Sequence, residues 1–244
     1  MIARLLTGAL RTVYGIFALG VFTGLLLLAA ALTLFTPGLE RRRRMVRGFA
    51  RLGLAVLRIR LSVVGQENLP AGSCIVVANH SSYLDGVILK ASLPPRFSFV
   101  IKREAASTPL LGTLLKRIGS EFLDRSANGG RQRDALRVLR KAEAGHSLVF
   151  FPEGTFVTAP GLQRFHAGAF VAASRARLPV VPVIILGARR ALPNRSIITR
   201  PGPVQVRILQ PLALGDVGGS VNSLRDESRA RILAGLDEPD VARG

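Results

Sequence analysis

Hydrophobic positions in this chain occur first as one long run and then as short bursts. Residues 12–39 carry no charge at all. Residues 13–34 are long enough to cross a bilayer core, which needs about 20 apolar residues. A cleaved leader is the rival for this run, but the run is longer than a usual leader's apolar core. Residues 41–57 read as a helix at 100° per residue. Met45, Phe49, Leu52 and Val56 then share one face, and Arg44, Arg47, Arg51 and Arg58 share another. Such a helix suits the headgroup region, apolar side down. It suits equally a place on a sheet with its arginines solvated.

The bursts that follow are rich in β-branched residues and too short for typical helices. They predict strands at 61–65, 74–78, 97–101, 147–151 and 180–186, with a shorter one at 121–124. Residues 204–208 alternate apolar with polar, which predicts an exposed edge strand. Helical pattern fills the intervals. It covers 86–91, stopping before Pro94-Pro95, and 105–118, broken near Pro109. It returns at 130–144, 169–177 and 224–236. Strands alternating with helices predict an α/β fold: a layered mixed, partly parallel sheet flanked by helices, with an N-terminal membrane-associated helical segment. The expected organisation is an anchoring segment at 1–58, a domain at 59–215 and a polar tail with one helix at 216–244. No internal repeat is visible.

Charge sharpens this picture. The formal net charge is +19 over 244 residues, which favours anionic partners. No Trp is present, and no stretch interleaves basic with aromatic residues as a base-stacking platform would. Nucleic acid is therefore not an expected partner. The single Cys74 cannot form an internal disulfide and lies in a predicted strand, so packing is its expected role. Arg41-Arg42-Arg43-Arg44 follows the apolar run, against only Arg4 and Arg11 before it. The positive-inside tendency places the bulk of the chain on the cytoplasmic side of the cytoplasmic membrane.

Candidate chemistry starts at Asn79-His80-Ser81-Ser82-Tyr83-Leu84-Asp85, between a predicted strand and a predicted helix. Inside one regular helix His80 and Asp85 would point about 140° apart. They meet only if His80 precedes the first helical turn and Asp85 points back. An imidazole held by a carboxylate is what a general base needs. The bland alternative is a capping box, in which Asp85 merely bonds backbone N–H groups at the helix start.

Three further stretches stand beside this one: Gly119-Ser120-Glu121-Phe122-Leu123-Asp124-Arg125, Phe151-Pro152-Glu153-Gly154-Thr155 and Val180-Val181-Pro182-Val183. In that order they resemble the motifs of the glycerolipid acyltransferase family, best known through the 1-acylglycerol-3-phosphate acyltransferases. The resemblance covers about residues 61–208. It implies transfer of a fatty acyl chain from a thioester, acyl-CoA or acyl-ACP, to the free hydroxyl of a lysophospholipid. His80 would be the general base and Asp85 its orienter. Gly119, Phe122, Arg125, Glu153, Gly154 and Thr155 would contribute to substrate binding, Arg125 on an acceptor phosphate. Lys102, at a strand end, is a further candidate phosphate contact. Membrane lipids are implied partners, and neither a metal nor a cofactor beyond the acyl thioester is implied. The helix start near Ser82 is an expected oxyanion support. One departure stands out: Phe156 occupies a position where the family often has Arg, and Arg164 or His166 would have to replace that cation. The departure keeps a second acceptor open, such as an acylated amino-acid lipid. The non-enzymatic alternative is a basic module on anionic membranes or nucleic acid.

Overall fold

The β-branched bursts pair into one sheet. The computed structural model describes residues 2–124, 130–194 and 196–242. Its helices are α1 (Ile2–Phe35), α2 (Leu39–Val56), α3 (Asp85–Ser92), α4 (Leu111–Arg117), α5 (Gly130–Glu143), α6 (Gly168–Ala176), α7 (Ala188–Ala191) and α8 (Val221–Ala234). Its strands are β1 (Ile59–Val64), β2 (Ile75–Ala78), β3 (Ser98–Lys102), β4 (Glu121–Leu123), β5 (Leu148–Phe150), β6 (Val180–Leu186) and β7 (Gly202–Ile208). They lie in the order β1-β7-β6-β2-β5-β3-β4. Among these pairs only β6–β7 is antiparallel. The sheet is thus mixed and mainly parallel, flanked by helices on both faces, as the alternation of elements predicts.

Strand β2 sits at the centre, with Ile75 opposite Leu148 on one side and Val180 on the other. The period of two splits its side chains between two cores. Cys74, Val76 and Ala78 pack with Ile88 and Leu89 of α3 and Leu54 of α2. Ile75 and Val77 pack with Val138 of α5, Phe170 of α6, and Leu224 and Ile232 of α8. Each Ile or Leu fully buried this way contributes about 1.5–3 kcal/mol. Burial pushes the Cys74 thiol up to about 11, which leaves it an inert packing group.

Strand β7 departs from expectation. It lies between β1 and β6 rather than at an edge. Val204, Val206 and Ile208 are buried while Pro203 and Arg207 are exposed. The alternation therefore records one covered face, a property that interior strands of half-covered sheets share with edges.

Helix α2 follows neither arrangement expected for it, because several of its arginines point inward. Arg43 is 6% exposed. Its Nε donates to Ile118 O at 2.8 Å, Nη1 to Arg96 O at 3.0 Å and Nη2 to Gly119 O at 3.4 Å, with Ser98 Oγ a further partner. Burial lowers the Arg43 pKa, and Glu121 partly restores it. Arg51 and Arg47 donate to Ala91 O at 2.9 and 3.3 Å, at the carbonyl end of α3, where cations oppose the helix dipole. Met45 and Phe49 pack against Ala29 and Ala30 of α1, while Leu52 and Val56 stay exposed.

Helix α1 is long and apolar enough over Thr12–Phe35 to cross a membrane, by length and composition. Its small residues nevertheless face the protein. Ala18, Ala29, Ala30 and Thr33 are buried; Ile16, Phe17, Phe22, Leu28 and Phe35 are exposed. Tyr14 Oη donates to Leu57 O at 2.9 Å, and Arg117 Nη2 donates to Leu34 O at 3.0 Å. A Cβ on Gly15 would come within 2.8 Å of Ile198 Cδ1. The helix is thus pinned to the rest of the chain at both ends of its apolar stretch.

Replacing Arg43 by Ala removes one charged donor from several buried carbonyls at once. The expected loss is at least about 2 kcal/mol, because hydrogen bonds to charged groups are worth about 1.5–3 kcal/mol each. Thermal unfolding in detergent measures it, and R43K should recover part of the loss. An unchanged Tm for R43A would remove this residue from the supports of the fold.

Candidate active site

Strands β2, β5, β3 and β4 run parallel, so their carboxyl ends share one edge of the sheet. In such sheets ligands gather at that edge. His80 stands there after β2, Phe151 after β5, Lys102 on β3 and Leu123 on β4. The chain leaves β2 through Asn79, whose side-chain amide continues the ladder. Asn79 Nδ2 donates to Ile185 O at 3.0 Å, and Ile185 N–H donates to Asn79 Oδ1 at 2.7 Å. That bidentate link to β6 lets the backbone turn away while the sheet stays closed.

The turn brings His80 and Asp85 together, and Nδ1 lies 2.9 Å from Oδ2. The same carboxylate oxygen accepts from Ser81 N–H at 2.6 Å and Ser82 N–H at 2.8 Å. The dyad and the cap, rivals in sequence, are one arrangement. Asp85 is fully buried, while the His80 side chain keeps 19% of its surface. An ionised carboxylate can only accept, so the Nδ1 proton faces Asp85 and the Nε2 lone pair is left to act. At the expected oxyanion support, the N–H groups of Ser81 and Ser82 are taken by Asp85. The Ser82 hydroxyl is also engaged, donating to Leu192 O at 2.8 Å and accepting from Leu84 N–H at 3.1 Å.

A loop after β5 closes over the turn. Glu153 is 5% exposed, and both of its oxygens are bonded. Oε1 accepts from His80 N–H at 2.6 Å, and Oε2 accepts from Gln163 N–H at 2.9 Å. Burial pushes its carboxyl up to about 7, against the pull of those two N–H groups. Gly154 is buried at φ +81°, a left-handed conformation that glycine adopts without strain, and its N–H closes a turn onto Phe151 O at 3.0 Å. Thr155 is exposed, and its carbonyl accepts from Gln163 Nε2 at 2.8 Å.

The imidazole lies between two phenyl rings. Phe151 stacks on it at 4.3 Å and 22°, and Phe156 meets it edge-on at 4.7 Å and 69°. Tyr83, which is 71% exposed, continues the wall with a ring 4.7 Å from Phe156. Sequence reasoning missed these aromatic contacts, together with Gln163. Only the strand-end position of Phe151 hinted at them.

The remaining candidates are spread along the sheet. Lys102 is exposed at the end of β3. Phe122 pairs with Ile101 inside the β3–β4 ladder. Strand β4 is three strands from β2, about 14 Å at the usual spacing. Arg125 lies outside the described residues. Gly119 precedes β4, at the opposite edge from His80. There φ is +70° and a Cβ would sit 3.0 Å from Arg43 Nη2. The structure therefore brings His80, Asp85, Glu153 and Gly154 together and leaves Gly119 apart. Arg164 and His166 are exposed in the loop after Glu153.

The raised Glu153 carboxyl has a consequence for stability. Between about pH 4.5 and 7 the native state holds a proton that the unfolded chain has lost. Stability should then fall as pH rises through that window. Glu153→Gln removes this dependence, whatever offset follows from an amide facing an N–H donor. Melting curves of wild type and E153Q from pH 4 to 8 should diverge in slope, and parallel curves would contradict the assignment.

Comparison with known proteins places these residues in context. The Acyltransferase family model matches residues 60–186. A chloroplastic 1-acyl-sn-glycerol-3-phosphate acyltransferase, BAT2 of Brassica napus, is 31% identical over 178 residues, 72% of this chain and 50% of its own. The 1-acyl-sn-glycerol-3-phosphate acyltransferase of Saccharomyces cerevisiae is 29% identical over 184 residues, 70% of this chain and 59% of its own. The chain thus spans about half the length of the curated relatives it matches. The crystal structure of the 1-acyl-sn-glycerophosphate (LPA) acyltransferase PlsC from Thermotoga maritima shares the fold. It has a TM-score of 0.79 and 24% identity, over 95% of both chains. With the family match covering His80, Asp85 and Glu153 alike, this chain belongs to the Acyltransferase family.

Proposed function

We propose that this protein transfers a fatty acyl chain from acyl-CoA or acyl-ACP to the free hydroxyl of a lysophospholipid. The favoured acceptor is 1-acylglycerol-3-phosphate, giving phosphatidate. The carrying observation is the His80–Asp85 pair at 2.9 Å at the strand edge; with the proton on Nδ1 facing the carboxylate, Nε2 is the acceptor. Nε2 takes the hydroxyl proton as the oxygen attacks the thioester carbonyl. The tetrahedral intermediate collapses with cleavage of the C–S bond, and the imidazolium returns the proton to the leaving thiolate. Asp85 keeps its charge throughout and holds the ring. A positioned base of this kind contributes about 10²–10⁴-fold. No serine nucleophile is needed, and the buried Ser82 is already committed to Leu192 and Leu84. Arg125 is assigned to the acceptor phosphate, because its fork suits a phosphate bidentately. Lys102 is a second cation for the same group.

A specific observation favours a second acceptor class. Phe156 places a ring 4.7 Å from the imidazole where the family often has a cation. A lysolipid without a phosphomonoester, such as an acylated amino-acid lipid, would suit that wall.

We assign the membrane contact to the exposed face of α1. Its opposite face is fixed to α2, α4 and the Ile198 loop, which favours insertion into one leaflet over a lone crossing. Arg41 remains exposed for anionic headgroups, while Arg44, also exposed, pairs with Glu40 at 2.6 Å; the cytoplasmic side is the proposed location.

The deciding experiment assays the purified protein with labelled acyl thioester against a panel of lysolipids. Phosphatidate should form, H80A should lose transfer while staying folded, and D85N should lose most of it. R125K should raise the acceptor KM by about 1.5–3 kcal/mol in free-energy terms and leave the thioester KM unchanged. Near-normal turnover by H80A would overturn the mechanism. Turnover only of acceptors lacking a phosphomonoester would select the second class.

The membrane assignment has its own check. F17D/F22D charges the exposed face of α1 and spares the packed one. Binding to anionic vesicles should fall sharply while Tm holds. Undiminished binding would move the contact elsewhere.

A further inference from the structure

The loop that carries Glu153 and Phe156 is held from behind by the segment following α8. Leu162 and Asp240 form an isolated parallel bridge. Leu162 N–H donates to Pro239 O at 2.9 Å, and Val241 N–H donates to Leu162 O at 3.3 Å. The Arg189 guanidinium meets the Glu238 carboxylate as a fork, Nε to Oε1 at 3.0 Å and Nη2 to Oε2 at 3.1 Å. Both partners of that pair keep less than a quarter of their side-chain surface, 18% and 24%. Glu238 Oε2 also accepts from Gly161 N–H at 2.8 Å. Arg189 Nη1 reaches in turn to Val157 O at 2.8 Å and Thr158 O at 3.3 Å. Arg229 ties in the next residues, donating to Leu162 O at 2.7 Å and Gln163 O at 3.0 Å while pairing with Asp240. Space is tight at the crossing, where a Cβ on Gly161 would meet Val241 Cγ1 at 2.5 Å.

These ties lead straight to the catalytic turn. Gln163 is the next residue in the loop, and its N–H donates to Glu153, whose other oxygen holds His80 N–H. A carboxylate on the segment after α8 is thereby connected, bond by bond, to the backbone of the candidate base.

We propose that Glu238 and Arg189 are positioning residues. They form a strap that sets the loop 155–163 so that Gln163 and Glu153 keep the His80 turn in register and Phe156 stays edge-on to the imidazole. Neither side chain touches the reacting atoms. Bidentate charged hydrogen bonds define geometry as well as energy, which suits the pair to this task. Small displacements of a binding loop translate into large losses of rate or affinity. The kinetic part of the proposal rests on the acyl-transfer reading; the structural part does not.

The test uses the full chain and the variants E238A, E238Q and R189K. Hydrogen exchange followed by mass spectrometry reads the loop without any substrate. In E238A the amides of 155–163 should exchange faster by about tenfold or more, while those of α3 stay unchanged. The acceptor KM should rise by about tenfold with the thioester KM held. E238Q, which retains one acceptor oxygen, should fall between E238A and wild type. R189K keeps the charge, loses the fork and serves if E238A does not fold. Unchanged exchange across 155–163 in both E238A and R189K would overturn the strap. A loosened loop with kcat and both KM values intact would overturn its positioning role. If the wild type acylates no lysolipid at all, the functional reading falls, and the exchange data still decide the strap.

Discussion

One carboxylate oxygen organises the candidate site. Asp85 Oδ2 accepts from the His80 ring and from the N–H groups of Ser81 and Ser82. Those three donors come from consecutive residues, so the oxygen defines the path of the chain between β2 and α3. The cost of burying the carboxylate is offset only if those donors are all in place. A turn of different shape would leave a buried charge without support. The conformation that orients the imidazole is therefore also the one that makes the buried acid tolerable. Stability and ring orientation depend here on the same atoms.

The large positive charge has a similar double use. A net charge of +19 reads at first as a field for anionic surfaces. Much of it is instead spent inside the molecule on carbonyl groups. Arg43 serves the edge of the sheet opposite His80, Arg47 and Arg51 the end of α3, and Arg117 the end of α1. Arginine suits this work because its five donors stay charged at any physiological pH and its fork spans more than one acceptor. What remains for lipid is a smaller, localised set, Arg41 among it. The field felt by a headgroup near α1 is thus set by placement more than by the total.

Much of this was legible in the sequence because it follows from short-range rules. The strand bursts at 74–78 and 180–186 appear within a residue of where they were expected, since full burial on both faces demands continuous β-branched runs. His80 and Asp85 were findable because a strand-to-helix turn is the one context in which their spacing works. The failures share a cause, which is that a neighbour far along the chain decided the outcome. Alternation in β7 could not reveal that β1, more than a hundred residues earlier, covers its edge. The helical wheel of α2 could not reveal that Ile118 and Gly119 wait for Arg43. Gly119, a site residue by motif, lies two residues beyond α4, where the lack of a side chain makes room for that same arginine. The aromatic enclosure of His80 needed the β5 loop to fold back, which no local pattern encodes.

That enclosure gives the substitution at Phe156 a physical meaning beyond a lost cation. Under the proposed mechanism His80 becomes an imidazolium in a partly desolvated site. A guanidinium at this position, a ring's breadth from the imidazole, would grip a phosphate but repel the cation as it forms. A phenyl group does neither. Phe151, stacked at 4.3 Å, presents a π-face within the range over which cations are attracted. The two rings therefore place no fixed charge against His80 and leave an anionic acceptor to be held by groups further from the ring. The site exchanges electrostatic grip near the base for an apolar wall. On the proposed function, an acceptor that fits this wall carries its negative charge away from the ring and from the hydroxyl that reacts.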